Sequence, residues 1–246
     1  LVYGAMTADW GDVQPNDDFG CDMNDLSDLA IDVYDNAMFI IALDYLLEMA
    51  PDSPQASRWK SLREGIERNV RAHLWDVKRQ KFIPHIYPEK SPIPEGFDEL
   101  AIHYHGGTAI AIEAGLLSKD EIRTVNAQML ENVRLSGMPS IGLTLYPVYP
   151  DGFFHGGMSK AYLYQNGGDW TWFGGRMIQQ LVVNGMVEEA YAEIHPMIER
   201  VIQNDGFYEW YGKGGVPSGS GNFKGSAGVL SKAIELLRDW AEKNKS

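Results

Sequence analysis

The sequence predicts an all-α fold in which charge-poor helices alternate with charged ones, as in an inner ring sheathed by an outer amphipathic ring. Three observations predict it. Glycine-rich steps open one charge-poor helix after another: His105-Gly106-Gly107-Thr108, Asn166-Gly167-Gly168-Asp169-Trp170, and Gly219 to Gly225 before Ser226-Ala227-Gly228. Each such helix, except the last, is followed by one whose charges avoid a single apolar stripe, the mark of a helix packed on one side only. The long aromatic loops all precede charge-poor helices, which gathers them at one end of the assembly, where a binding site is expected. Glycine at an inner helix start would also let a ligand approach free backbone N–H groups.

Taken in order, residues 1–25 read as irregular chain with acids among aromatics and glycine. Asn24 or Asp25 is placed to cap an inner helix from Leu26 to Met49, deeply buried because its charges are sparse. Ser53-Pro54 reads as a cap with proline at the first helical position. The outer helix that follows, to Trp75, aligns Trp59, Leu62, Ile66, Val70 and Leu74. Residues 76–104 form a proline-rich connection with a short hairpin near Phe82-Ile83 and Ile86-Tyr87. An inner helix runs from His105 to Ala114, and Gly115 ends it. Ser118-Lys119-Asp120-Glu121 is a capping box that starts an outer helix to Val133. After a loop over 134–165, an inner helix spans Asp169–Val183 and Asn184-Gly185 closes it. The next outer helix, Val187–Ile202, contains Pro196, which should kink or split it. A Gly-rich aromatic loop over 204–225 leads into the last helix, 226–243, which buries Ala227, Leu230, Ile234, Leu237 and Ala241.

The length suits one large domain or two small ones. Thirty-four acidic against 21 basic residues leave a net charge of −13, which argues against nucleic acid or an anionic membrane as partner. Cys21 stands alone, so neither a disulfide framework nor a cysteine-based zinc site is available. A lone cysteine fits a reducing compartment and equally an exported bacterial enzyme. No apolar run reaches the length of a membrane span. The opening Leu1-Val2-Tyr3-Gly4 has neither an initiator Met nor a basic leader, so the chain reads as the interior of a longer polypeptide.

The loops carry Trp10, Tyr104, Tyr146, Tyr149, Phe153, Phe154, Tyr164, Trp170, Trp172, Tyr208, Trp210 and Tyr211. Aromatic faces stack on the C–H faces of sugar rings while acids and amides satisfy hydroxyls, so a polar, ring-shaped ligand is expected. Glycoside hydrolysis needs two carboxylates across the sugar, one protonated for the leaving oxygen and one to activate water or attack. Two loop segments offer them. Asp9-Trp10-Gly11-Asp12 precedes the first helix, and Phe207-Tyr208-Glu209-Trp210-Tyr211 precedes the last. Aromatic neighbours desolvate an acid and raise its pKa, as a general acid near neutral pH requires. Asp9 and Asp12 flank the same tryptophan, and backbone geometry must choose between them. Asp17, Asp18, Asp22 and Asp25 read as solvated or capping acids.

These segments resemble known ones. Gln165-Asn166-Gly167-Gly168-Asp169-Trp170 resembles the N-G-G-x-W segment of six-hairpin glycosidases, especially the alkaline/neutral invertases. Tyr208-Glu209-Trp210-Tyr211-Gly212-Lys213, with Gly215, Gly219 and Ser226-Ala227-Gly228, resembles their P-E-Y-Y-D-G-K…G…S-x-A-G stretch. Trp10-Gly11-Asp12, followed by Tyr34-Asp35-Asn36-Ala37-Met38-Phe39, resembles W-x-D…N-A-L-W of the glycogen-debranching amylo-α-1,6-glucosidases. The sequence departs from the pattern at Asp169, where a small residue is usual, and after Trp170, where no proline follows. Segments specific for sucrose have no match, so invertase activity itself is not implied.

The resemblance implies an (α/α)6 toroid, with residues 1–246 as the C-terminal part of a single catalytic domain, helices six to twelve, and the first five helices outside this chain. It implies an inverting hydrolase of an α-glucoside or related oligosaccharide, with Asp12 as proton donor and Glu209 as base. Trp10, Trp170, Trp172, Tyr208 and Trp210 would contact the sugar, with His105, Gln165 and Asn166 at its hydroxyls. No cofactor or metal is called for, since no acid at suitable spacing completes the His103-x-His105 pair. Two other readings stay open: a helical-barrel sugar epimerase using His103, His105 or His155, and a carbohydrate-binding protein without turnover.

Overall fold

Helix and loop alternate in the computed structural model as their charge patterns require. It describes residues 1–15, 20 and 22–244; Asp17, Asp18 and Cys21 lie outside the described residues. Among these, seven α-helices occur: α1 (Val33–Met49), α2 (Ala56–His73), α3 (His105–Glu113), α4 (Lys119–Ser136), α5 (Thr171–Val183), α6 (Val187–Asn204) and α7 (Lys224–Lys243). Contacts run α1 to α3, α3 to α5 and α5 to α7, which makes these four the inner row. Helices α2, α4 and α6 pack behind α1, α3 and α5. The charge-poor α3 is buried from His105 through Ile112. The outer helices bury one stripe each, such as Ile66 and Val70 of α2 or Ile122, Val125 and Met129 of α4. The capping box at Ser118 and Glu121 is formed on both sides.

Several boundaries differ from expectation for local reasons. Helix α1 begins only at Val33, because Leu29–Ala30 (β2) pairs antiparallel with Gly4–Ala5 (β1). Asp32 rather than Asn24 or Asp25 is its cap, accepting from the Asp35 amide at 2.8 Å. Its buried residues lie on one side, while Tyr45 and Met49 are exposed, so it is not sheathed all round. Ser53 accepts from the Gln55 amide in the turn before α2, which starts two residues beyond Pro54. The hairpin lies earlier than its apolar residues suggested, pairing Trp75–Asp76 (β3) with Lys81–Phe82 (β4) across a turn held by Asp76. Helix α6 continues through Pro196 as one element; the Ala192 carbonyl that loses its partner sits at an exposed residue, where water can replace it.

The segments preceding the inner helices do gather at one end, and they bond to each other. The His105 amide donates to the Thr144 carbonyl, Thr144 to Gly168, Trp170 to Gly142 and Asp169 to Tyr211, all within 2.7–2.9 Å. His103–Tyr104 (β5) pairs with Leu145–Tyr146 (β6), and Trp210–Tyr211 (β7) with Pro217–Ser218 (β8). This cap has its own core of Met6, Ile102, Tyr104, Tyr149, Phe154 and Met158, separate from the interhelical one. Glu99 anchors it. Burial alone would raise the Glu99 pKa, but His85, Tyr87 and Tyr149, bonded at 2.7–2.8 Å, hold it below the ordinary value. Much of the loop aromaticity is therefore cap core rather than ligand surface.

The glycine steps serve the same close packing. A Cβ on Gly106 would lie 2.3 Å from the Trp10 ring, and one on Gly107 would lie 2.6 Å from an Asp9 oxygen. At Gly168 the obstacle is the Tyr164 carbonyl, and at Gly225 the Trp172 ring. What approaches the α3 N-terminus is the chain's own Asp9 and Trp10, not an outside ligand.

Candidate active site

Asp12 and Glu209 come from opposite ends of the chain and both lie near Tyr164. The Tyr164 Oη donates to Asp12 Oδ2 at 3.2 Å. Burial and both carboxylates push the Tyr164 pKa up. Asp12 is exposed, and its amide donates to Gln165 Oε1 at 3.2 Å. Glu209 is half-buried and accepts from the Ser220 amide at 3.1 Å, while its own amide donates to the Ser220 carbonyl. Gly219 permits this: at φ +69 it passes so close that a Cβ would lie 2.4 Å from Glu209 Oε2.

The desolvated acid beside Trp10 is Asp9, not Asp12. Asp9 is buried at φ +57, and both its oxygens accept from the Gly107 amide, at 2.8 and 3.0 Å. Burial pushes its pKa up to about 8, against the Gly107 and Gly106 amides that favour the charged form, and Asp35 adds to the rise. Asp9, Trp10, Tyr34 and Asp35 line a cavity of about 290 Å³ that runs past Gly11, with Asp32 at its wall. Asp32 is likewise pushed up to about 7, by burial and then by Asp35.

Raised carboxyl pKa values have a consequence for stability. Between the unfolded value near 4 and the folded values near 8 and 7, the folded protein keeps protons that the unfolded chain sheds. Stability is therefore full below about pH 4, falls as pH rises, and levels off above about pH 8. Asp9→Asn keeps an acceptor for Gly107 and removes one of these protons, so its melting temperature should fall less than wild type's between pH 4 and 8. Parallel melting curves over that range would refute the burial assigned to Asp9.

The other site residues divide. Trp10, Trp172, Tyr208 and Trp210 are half-buried at this end and retain partly open rings. Trp10 lies on Phe173 at 4.5 Å, and the Arg176 guanidinium lies over Trp172 at 5.1 Å. Trp170 is a correction: it is 2% exposed, edge-on to Trp10 and Tyr164, with Nε1 donating to the Tyr164 carbonyl at 3.1 Å. It supports the site from behind. Asn166 is fully buried, and its amide is spent on the Tyr149 backbone in both directions, at 2.9 and 3.1 Å. Gln165 is buried as well and holds the Asp12 backbone rather than a hydroxyl. His105 is buried against Asn132 at 3.0 Å, and burial lowers its pKa to about 3. His103, equally buried, is held well below its ordinary value by burial and by His105. Neither faces a ligand, so the epimerase reading loses two of its three histidines. Asp22 and Asp25 are exposed, as read. Among the described residues no cluster of three or more His, Cys, Asp or Glu is placed to hold a metal ion, and no helix is long and apolar enough to cross a membrane.

Ser220 carries no signal in the sequence as a site residue. Tyr164 appears there only as one of the loop aromatics, next to the Gln165-Asn166-Gly167-Gly168 segment, and Tyr34 and Asp35 only within the stretch that follows Trp10-Gly11-Asp12 in the resemblance.

No family profile matches the chain, and neither does any curated protein sequence. Solved structures do. The chain is similar to the GH63 mannosylglycerate hydrolase from Thermus thermophilus in complex with Tris and D-glycerate, at 16% identity and a TM-score of 0.59. The same enzyme in complex with glucose matches at 18% identity and the same TM-score. In both, 86% of this chain is covered but only 46% of the other, so the chain spans about half the length of these relatives. At these identities the likeness shows a shared helical α/α fold.

Proposed function

We propose that this chain supplies both catalytic carboxylates of an inverting glycoside hydrolase that acts on an α-linked glucoside or related sugar. Asp12 gives its proton to the glycosidic oxygen, and Glu209 takes a proton from the water that attacks the opposite ring face. The observation that carries this reading is the gathering of Asp12 and Glu209, from opposite ends of the chain, around Tyr164. Asp9 is passed over as donor because its carboxyl is buried and bonded to the Gly107 amide. Trp10, Trp172, Tyr208 and Trp210 provide ring faces, and the cavity beside Trp10 accepts hydroxyls. The named activity of the structural neighbours, mannosylglycerate hydrolysis, supports a glycoside as the substrate class.

On this reading the chain is the C-terminal part, helices six to twelve, of an (α/α)6 domain. Two unpartnered apolar faces support it. One is the side of α1 that neither α2 nor α3 covers, where Tyr45 is 56% and Met49 73% exposed. The other is a groove of about 690 Å³ between α6 and α7, lined by Tyr191, Ile194, Ile198, Ile234, Leu237 and Trp240. An N-terminal helical half would cover both. The test is a panel of α-glucosyl disaccharides, 4-nitrophenyl α-glucoside and mannosylglycerate offered to the full-length protein. Release of free sugar from at least one is expected. Sugar binding without release, or deuterium uptake at a sugar carbon without hydrolysis, would overturn the reading in favour of a binding protein or an epimerase.

A further inference from the structure

One short segment, from Tyr164 to Asp169, is bonded to both loops that carry the proposed carboxylates. On the acid side, Gln165 Oε1 accepts from the Asp12 amide at 3.2 Å, and Tyr164 Oη donates to Asp12 Oδ2 at 3.2 Å. On the base side, the Asp169 amide donates to the Tyr211 carbonyl at 2.9 Å, and the Tyr211 amide donates back to the Asp169 carbonyl at 2.8 Å. Tyr211 stands two residues beyond Glu209. The segment is itself held. Thr144 Oγ1 donates to the Gln165 carbonyl and accepts from the Gly167 amide, both at 2.9 Å. The Tyr164 carbonyl accepts from the Gly168 amide at 3.0 Å.

Asp12 depends on this hold because it is exposed. It follows a tight turn in which the Gly11 amide donates to the Ala8 carbonyl at 2.9 Å. Asp9 pins the start of that turn, accepting from the Gly107 amide at 2.8 Å. Beyond Gly11, the hydrogen bonds that reach Asp12 among the described residues come from Tyr164 and Gln165. Gln165 is 3% exposed, so its carboxamide cannot swing out to solvent and is a fixed mount. An acid that protonates a leaving oxygen must stand within hydrogen-bond reach of it, and a misplacement of about 1 Å costs on the order of 10²-fold. We infer that Gln165 is a positioning residue for the proton donor: it fixes the Asp12 backbone, and through Asp169 the same segment fixes Asp12 relative to the loop of Glu209. Gln165 takes no part in the proton transfer. The inference rests on the assignment of Asp12 and Glu209 proposed above.

The test compares two substrates in the full-length protein. An α-glucosyl disaccharide departs as an alcohol and needs a proton on the leaving oxygen, whereas α-glucosyl fluoride departs as fluoride and needs far less help from an acid. Gln165→Met keeps the length of the side chain and deletes the acceptor for the Asp12 amide. Its kcat on the disaccharide is expected to fall about 10–100-fold with little change in KM, while kcat on the fluoride stays within about threefold of wild type. Equal losses on both substrates would show a merely structural glutamine and overturn the inference, as would no loss on the disaccharide. If Gln165→Met does not fold, Gln165→Asn, which keeps the amide but withdraws it by one methylene, decides by the same comparison. Asp12→Asn separates the inference from the reading beneath it. A loss confined to the disaccharide in Asp12→Asn but absent from the Gln165 variant overturns the positioning role alone. An Asp12→Asn variant that loses both substrates equally, or neither, removes the donor assignment and the inference with it.

Discussion

Replacing Glu209 with Gln is expected to slow turnover by about 10²–10⁴-fold, the usual contribution of a positioned general base, while KM changes little. The amide matches the carboxylate in shape and still offers an oxygen to the Ser220 amide, which now donates to Glu209 at 3.1 Å. Gly219 continues to pass beneath it. What is lost is the ability to take a proton from water in the transition state, so the loss falls on kcat rather than on ground-state binding. Steady-state kinetics on whichever sugar wild type cleaves checks this. A variant within about twofold of wild type would mean that Glu209 is not the base.

The largest effect on stability is expected at Arg200. Asp169 is fully buried, and Arg200 is nearly so; Nη1 of Arg200 bonds Asp169 Oδ1 at 2.7 Å while Nη2 donates to Thr171 Oγ1 at 2.6 Å. Ser140 donates to both Asp169 oxygens at 2.8 and 2.7 Å, and the guanidinium lies over the Tyr211 ring at 4.0 Å. One ion pair thus ties α6 to the start of α5, to the loop before it and to the strand that follows Glu209. Arg200→Leu would leave a carboxylate in the interior without its counter-ion, a loss on the order of 3–5 kcal/mol. For a chain of this size that is a drop of roughly 6–20 °C in melting temperature. A drop under about 3 °C in differential scanning calorimetry would show that Asp169 finds another partner. The same pair accounts for the departure seen at Asp169, where a small residue would leave Arg200 buried and unpaired.

Helix count, order and layer were legible because charge patterning on an outer helix is a local record of which side packs. The capping box at Ser118 and Glu121 is equally local, and both halves form. Starts of helices were less legible. Leu26 to Asp32 is as apolar and acidic as helix α1, and only the pairing of Leu29–Ala30 with Gly4–Ala5 takes it out of the helix. At the candidate site, Asp12 and Glu209 could be proposed because acid, aromatic and glycine recur in a recognisable order. The bond from Tyr164 to Asp12 could not, since it depends on a left-handed backbone and on a contact across 152 residues of chain. Aromatic residues misled for a physical reason. A cap of long loops needs its own core, so Tyr104, Tyr149, Phe154 and Trp170 are buried beneath it while Trp172, Tyr208 and Trp210 remain partly open. Polar residues beside glycine misled likewise: Asn166 and Gln165 satisfy loop backbone, because buried carbonyls and amides there need partners as much as any sugar hydroxyl does.

The central claim, that Asp12 and Glu209 act from opposite faces of an α-linked sugar with a water between them, is tested most directly by the anomer first released. Proton NMR in the opening seconds of turnover, before mutarotation, reads it from the H1 signal. The β-anomer is expected from an α-linked substrate. An α-anomer appearing first would mean retention through a covalent intermediate, and would contradict the assignment of Glu209 as a base acting on water.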